Sequence, residues 1–475
     1  MSGGGKKSKE LKMRVPAVLV AVALLSTNAA AADAPGYLVA GYKALFTCSA
    51  TFLAHRTPEQ IKEFELTGIY GDYAPVMAKL PAAQVDMKAN TVSVAYDDAQ
   101  PPRIAKLNGA LGCALLPPTA PATTALPSLK LKPAPDRANE AWPMGDALPE
   151  QPTVGDVNGK PLAKAIAQAF DGKTYGERSR TSAVVIVRDG AIVGEHYALG
   201  TDVDVPQRTW SVAKSITGVL MGIAAKDGLL QAEQPTGLRV WSGASDPRGK
   251  IRIVDLMRMS SGLEAGASGN RTDEIYFGGG LVADHAVTHE LISAPNTRWF
   301  YANNDTMAQS YLLRARLKSD AKYLAYPHEK LFRRIGMLHT WAETDWNGTF
   351  ILSSQVWTTA RDLARLGMLI ADDGDWRGQR ILPEGWVKLM ATPAPVQPPE
   401  TRRDGSAQPG YGADIWLYGA RHGLPEGTLA ALGNRGQYVM IMPEQKIVIV
   451  RRGFDGEDAR FAIDKFTADV LKALE

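Results

Sequence analysis

Trp210-Ser211-Val212-Ala213-Lys214-Ser215-Ile216-Thr217-Gly218-Val219-Leu220-Met221 places a hydroxyl and an amine three residues apart at the head of an apolar run. Three residues is close to one helical turn, so Ser211 and Lys214 leave the same face of the helix that the pattern predicts. A serine hydroxyl is a weak nucleophile at neutral pH. An amine kept neutral by burial can take its proton, which makes the pair a self-contained nucleophile and base. The spacing alone carries little, because a chain of this length meets about one or two by chance. Ser319-Asp320-Ala321-Lys322 is a second instance, set among Arg314, Arg316 and Lys318, and reads as a solvated helix end. The run after Lys214 is too apolar for a surface and would desolvate its amine.

Outward from this helix, the two ends of the main domain read as sheet. Ala183-Val184-Val185-Ile186-Val187-Arg188 and Ala191-Ile192-Val193-Gly194-Glu195-His196-Tyr197 are joined at Asp189-Gly190, a hairpin signal. Tyr438 to Met442 and Lys446 to Val450 form a second hairpin, followed by a helical pattern from Asp458 to Leu474. The stretch from Ser211 to about Met390 is mostly helical, and another helix is expected over Pro161–Phe170. Strands at both ends and helices between them predict an α/β (α+β) fold: one antiparallel sheet flanked by terminal helices, with a helical lobe inserted.

Upstream of residue 160 the chain changes character. Residues 37–116 read as a small N-terminal α+β unit with strand candidates at Gln84–Met87 and Thr91–Tyr96, expected to pack on the main domain. Residues 117–159, with Pro117, Pro118, Pro121, Pro127, Pro133 and Pro135, read as a proline-rich linker leading to the main domain at 160–475. Residues 1–32 read as a signal peptide: Lys6, Lys7, Lys9, Lys12 and Arg14, then the apolar run Val15–Leu25, then small residues, with Met1 or Met13 as the start. The run is short for a membrane span, so an exported, periplasmic or secreted protein without a stable membrane anchor is expected. The leader holds five basic side chains and one acidic one, more than the formal +3 of the whole chain, so the rest is near neutral and no nucleic-acid partner is implied. Cys48 and Cys113 are the two cysteines, and export makes a disulfide between them the expectation. Two thiols exclude a four-thiolate zinc site.

Two further motifs supply what a serine and a lysine lack. Tyr301-Ala302-Asn303 is the one Tyr-x-Asn among fifteen tyrosines, and it precedes a helix that Asn304 or Asp305 would cap. Leu432-Gly433-Asn434-Arg435-Gly436-Gln437 enters the final hairpin, where glycine allows close approach of backbone to a ligand. The seven histidines show no metal spacing, no Gly-x-Ser-x-Gly elbow occurs, and Gly172-Lys173-Thr174 has Ala167 where a phosphate loop needs glycine.

Ser-x-x-Lys, Tyr-x-Asn and a glycine-bearing strand motif, in that order, resemble the serine β-lactamase and penicillin-binding-protein superfamily, on its class C β-lactamase-like branch. Trp210–Ser215, Met259-Ser260-Ser261-Gly262-Leu263 and Gly433–Gln437 look most like the 6-aminohexanoate-dimer hydrolase and family VIII esterase group. The resemblance covers residue 160 to the C-terminus and implies a β-lactamase/transpeptidase-like fold. It implies that Ser211 is acylated, Lys214 is its base, Tyr301 carries protons, Asn303 orients the lysine or a substrate amide, and Gly436 lines the substrate site. The oxyanion hole would be the backbone N–H groups of Ser211 and Gln437. Tyr276, in the glycine-rich loop Ala265–Gly280, is a further candidate for substrate contact. The family usually presents Lys or His two residues before the third-motif glycine, to bind a substrate carboxylate. Here Asn434 holds that position, and Arg435 substitutes only if it faces the cleft. The expected function is hydrolysis of a small ester or amide with no metal and no cofactor. A β-lactamase or D-amino-acid peptidase is one alternative, and an inactive cell-wall-binding protein is another.

Overall fold

The computed structural model describes Met1 and residues 34–131, 137, 139–148, 159–266, 273–402 and 405–475. The expected leader (Met1 apart), parts of the proline-rich stretch and residues 267–272 of the glycine-rich loop lie outside the described residues.

The N-terminal helix α1 (Gly36–Phe52) is buried continuously from Leu38 to Ala50. A helix apolar all round belongs inside a protein, and α1 has partners on every side. It lies on a four-stranded antiparallel sheet of β1 (Gln84–Asp86), β2 (Thr91–Val94), β3 (Arg103–Leu107) and β4 (Cys113–Leu115), ordered β1-β2-β3-β4. The Cys48–Cys113 disulfide joins α1 to β4 with a Cα–Cα distance of 6.2 Å. Closing a loop of that length contributes about 4 kcal/mol in the chain-entropy model. The other side of α1 shares a core with Trp210, Tyr276, Phe277 and Met307. Residues 33–475 accordingly make one compact unit.

From α2 (Gly159–Ala169) the chain runs through β5 (Thr181–Arg188) and β6 (Ala191–Tyr197), then the helices α3 (Val212–Lys226), α4 (Asn303–Leu317) and α5 (Ala360–Ala371). It returns as β7 (Gly410–Tyr411), β8 (Trp416–Tyr418), β9 (Thr428–Gly433), β10 (Gln437–Met442) and β11 (Ile447–Gly453), and ends in α6 (Ile463–Leu474). These seven strands form one antiparallel sheet ordered β7-β8-β9-β10-β11-β5-β6. The two distant runs meet where β11 pairs β5, with Ile449 opposite Ile186 and Val450 opposite Val185.

Strand side chains alternate between faces, which explains the unbroken apolar runs. Val184 and Ile186 pack with Leu162, Ile166, Phe466 and Val470 of the terminal helices α2 and α6. Val185 and Val187 share the opposite core with α3, α4 and α5. Each fully buried Val, Leu or Ile here contributes roughly 1.5–3 kcal/mol. A small three-stranded sheet, Gln207–Arg208, Val356–Thr358 and Thr340–Ala342, lies at the entrance to α3. Helix α4 starts at Asn303 rather than after a cap at Asn304 or Asp305; its N-cap is Ala302, without a side-chain cap bond. Asp305 is occupied elsewhere, accepting from Ser261 Oγ at 2.7 Å.

Candidate active site

Helix α3 is buried from Val212 to Ala224, so Lys214 is enclosed by its own helix and by what packs on it. Ser211 sits at the N-cap of α3 without making a side-chain cap bond, which leaves its hydroxyl for other partners. Lys214 Nζ is 3.2 Å from Ser211 Oγ and donates to Asn303 Oδ1 at 2.6 Å and to the carbonyl of Ser353 at 2.9 Å. Burial lowers its pKa from 10.5 to about 7, opposed by the charge of Asp414. A substantial fraction of the amine is therefore neutral at neutral pH.

Tyr301 arrives from the residues just before α4. Its ring lies 5.0 Å from Lys214 Nζ and packs against Trp416. Burial pushes the phenol above its usual range against smaller opposing pulls from Ser211 and Trp416, so Tyr301 is protonated at neutral pH. Trp299, Tyr411 and Trp416 box its ring, with Trp416 nearest at 5.2 Å between centroids. Asn303 follows two residues later and meets Lys214 from the first turn of α4.

The third motif is placed differently from the sequence expectation. Gly436 is the turn glycine of the β9–β10 hairpin, where Arg435 (φ +56) and Gly436 (φ +76) are both left-handed. A Cβ on Gly436 would strike the Arg451 guanidinium and the Asp455 carboxylate rather than the serine. The glycine at the serine is Gly433: a Cβ there would lie 2.3 Å from Thr209 O and 3.2 Å from Ser211 N. Gln437 stands opposite Gly433 in register. Its side chain is committed, accepting from Arg452 Nε at 2.7 Å and donating to Arg435 O at 3.1 Å. Asn434 is exposed, with Oδ1 accepting from the Arg435 amide. Arg435 turns away and donates to the carbonyls of Phe64 at 2.8 Å and Thr67 at 2.7 Å.

Tyr276 also reaches the site. Its hydroxyl bonds Ser353 Oγ, one side chain from the carbonyl that holds Lys214. Sequence reasoning missed Ser353, Trp416, Gly433 and Asp414. Asp414 is buried, accepts from Gln309 Nε2 at 3.2 Å, and takes Ser215 Oγ on its backbone carbonyl at 2.6 Å. Only the glycine carried a legible signal, since it belongs to the quoted motif. Among the described residues, no group of three or more His, Cys, Asp or Glu is placed to hold a metal ion.

The sequence profile of the beta-lactamase family matches residues 164–453. The 6-aminohexanoate-dimer hydrolase of Paenarthrobacter ureafaciens is 23% identical over 303 residues, covering 58% of this chain and 73% of that one. A putative 6-aminohexanoate-dimer hydrolase structure from Bacillus anthracis superposes with a TM-score of 0.53 at 22% identity, over 66% of this chain and 81% of that one. A family VIII carboxylesterase structure gives 0.52 at 13% identity, over 67% and 97%. At these identities the structural likeness speaks to the fold.

Proposed function

The chain belongs to the beta-lactamase family, and on that premise we propose that it is a serine hydrolase of small esters or amides, acting through an acyl-enzyme on Ser211. The observation that carries this reading is the setting of Lys214. A neutral amine has two N–H groups and one lone pair. Asn303 Oδ1 and the Ser353 carbonyl take the N–H groups, which leaves the lone pair for Ser211 Oγ–H at 3.2 Å. Lys214 takes the serine proton as Oγ bonds the acyl carbon. Protonated Tyr301 gives its proton to the leaving alcohol or amine as that bond breaks, and recovers one from Lys214. Water then attacks the acyl carbon, its proton returning through the same groups to Ser211 as the Oγ–acyl bond breaks. The Ser211 N–H serves as one oxyanion donor and the Gln437 N–H, carried over from the family resemblance, as the second. Losing one such donor typically costs about two to three powers of ten in rate.

The third motif favours esters and neutral amides over β-lactams or peptide termini. Asn434 is uncharged, and the Arg435 guanidinium is spent on backbone carbonyls of residues 64–67. We also propose that the protein works outside the cytoplasm, a reading supported by the leader-like residues 1–32 and by the disulfide. No helix of the described residues is long and apolar enough to cross a membrane.

The test is hydrolysis of p-nitrophenyl acetate, p-nitrophenyl butyrate and nitrocefin by wild type and Ser211→Ala, with intact-mass spectrometry for the acyl adduct. Ester turnover that disappears in the variant, with little nitrocefin cleavage, is expected. Nitrocefin turnover comparable to the esters would favour the β-lactamase reading. No turnover and no adduct would favour a binding protein that keeps the fold.

A further inference from the structure

Residues 34–116 lie outside the stretch matched by the family, yet their helix reaches the residue before the serine. Phe46 of α1 is buried, stacked on Tyr42 with ring centroids 4.0 Å apart and tilted against Trp210 at 5.6 Å. The Arg208 guanidinium sits against both rings, its Cζ 4.3 Å from the Phe46 centroid and 4.1 Å from that of Trp210. A buried cation packed against two aromatic rings is held by their quadrupoles in place of water. Trp210 directly precedes Ser211, and its backbone is left-handed at φ +50. A bulky residue adopts that conformation only where its surroundings impose it.

The same guanidinium also reaches the base. Arg208 Nε donates to Ser354 O at 3.1 Å, and Nη2 donates to Ser354 Oγ at 3.2 Å. Ser354 follows Ser353, whose carbonyl receives Lys214 Nζ. One side chain therefore touches the residue before the nucleophile and the residue after the carbonyl that fixes the base, and its remaining ring partner is Phe46. Two other ties hold the N-terminal segment in place. Arg435 in the β9–β10 turn donates to carbonyls at and just past the end of the helix Pro58–Phe64, as C-capping cations do. Buried Glu343 accepts from Ser49 Oγ at 2.5 Å and from Cys113 N at 3.0 Å, beside the disulfide.

We propose that residues 34–116 are a positioning element for the nucleophile and its base, acting through Phe46 on the Arg208–Trp210 stack. The proposal rests on the acylation of Ser211 put forward above. With the Phe46 ring gone, Arg208 loses one of its two ring contacts. Trp210 is then released from its left-handed turn, and Ser211 and the Ser353 carbonyl shift relative to Lys214.

The experiment compares wild type, Ser211→Ala, Phe46→Leu and Arg208→Lys. Phe46→Leu keeps apolar bulk without the ring face; Arg208→Lys keeps the charge without the planar fork. Labelling by a fluorophosphonate probe is followed by intact mass, beside thermal melting and the pH profile of p-nitrophenyl butyrate hydrolysis. Both variants are expected to remain folded at the assay temperature and to label at least tenfold more slowly than wild type. Their pH midpoints should move upward, as a less confined lysine regains its ordinary basicity. Variants that melt lower yet label at the wild-type rate, with an unmoved midpoint, would overturn the proposal and leave Phe46 as core packing. If Phe46→Leu does not fold, Arg208→Lys decides by the same readouts. A wild type that does not label, or labels equally as Ser211→Ala, removes the Ser211 reading and this proposal together; a failure confined to the two variants removes the proposal alone.

Discussion

Lys214 Nζ lies 2.6 Å from Asn303 Oδ1, nearer than it lies to the serine it would deprotonate. The amide oxygen is a neutral acceptor, so it aims the amine without stabilising its charge as a carboxylate would. Asn303→Asp supplies that carboxylate at almost the same volume. The lysine pKa should rise, and the midpoint of the kcat/KM profile should move at least one unit to higher pH. Asn303→Ala should instead lower kcat about tenfold to a hundredfold with a smaller shift in midpoint, since a general base contributes about 10²–10⁴ when well placed.

The pH dependence of the wild type follows from burial of Lys214. Its pKa is about 7 when folded against 10.5 as the ordinary value, so kcat/KM should climb with pH and reach half its plateau near pH 7. Between about 7 and 10.5 the unfolded chain binds the extra proton, so this group's contribution to stability increases as pH rises through that window and is lowest below it. Lys214→Met should abolish turnover and flatten this part of the stability profile, as measured by denaturant melts from pH 6 to 10.

Two glycines three residues apart should fail in different ways. Gly433→Ala forces a Cβ against Thr209 O and the Ser211 amide, so turnover should fall by more than a hundredfold. Gly436→Ala occupies a left-handed turn position against Arg451 and Asp455, so the melting temperature should fall while each folded molecule keeps its activity. Active-site titration with the fluorophosphonate probe separates activity per folded site from the folded fraction.

Asn434→Lys should restore a cation where the family usually carries one. Because Asn434 is exposed, the melting temperature should change little. KM for a carboxylate-bearing ester should fall severalfold relative to its neutral methyl ester, and steady-state kinetics on that pair checks it.

Ser211 and Lys214 were legible because a largely apolar run follows them, a local property of the chain. Tyr301 and Asn303 were legible because a single Tyr-x-Asn lies at a suitable distance along the chain. Ser353 was not, because it acts through a backbone carbonyl that any residue carries. Trp416 and Asp414 acquire their parts only from the packing of strands and loops far along the chain against α3 and α4. The choice between Gly433 and Gly436 turned on which residue of the hairpin meets Thr209, and local sequence does not encode that contact. The N-terminal sheet and the disulfide could be anticipated, whereas the contact of Phe46 with Arg208 joins segments more than 150 residues apart.

The pairing of β5 with β11 also sets a timetable. At ordinary synthesis rates of about 5–20 residues per second, roughly 13–50 s separate the emergence of these partners from the ribosome. For most of that interval Ser211 and Lys214 already exist, but Gly433 and the strand bearing it do not. The site thus stays unassembled until late in translation, and for much of its synthesis the nascent chain carries the Ser211 hydroxyl without the strand that completes its surroundings.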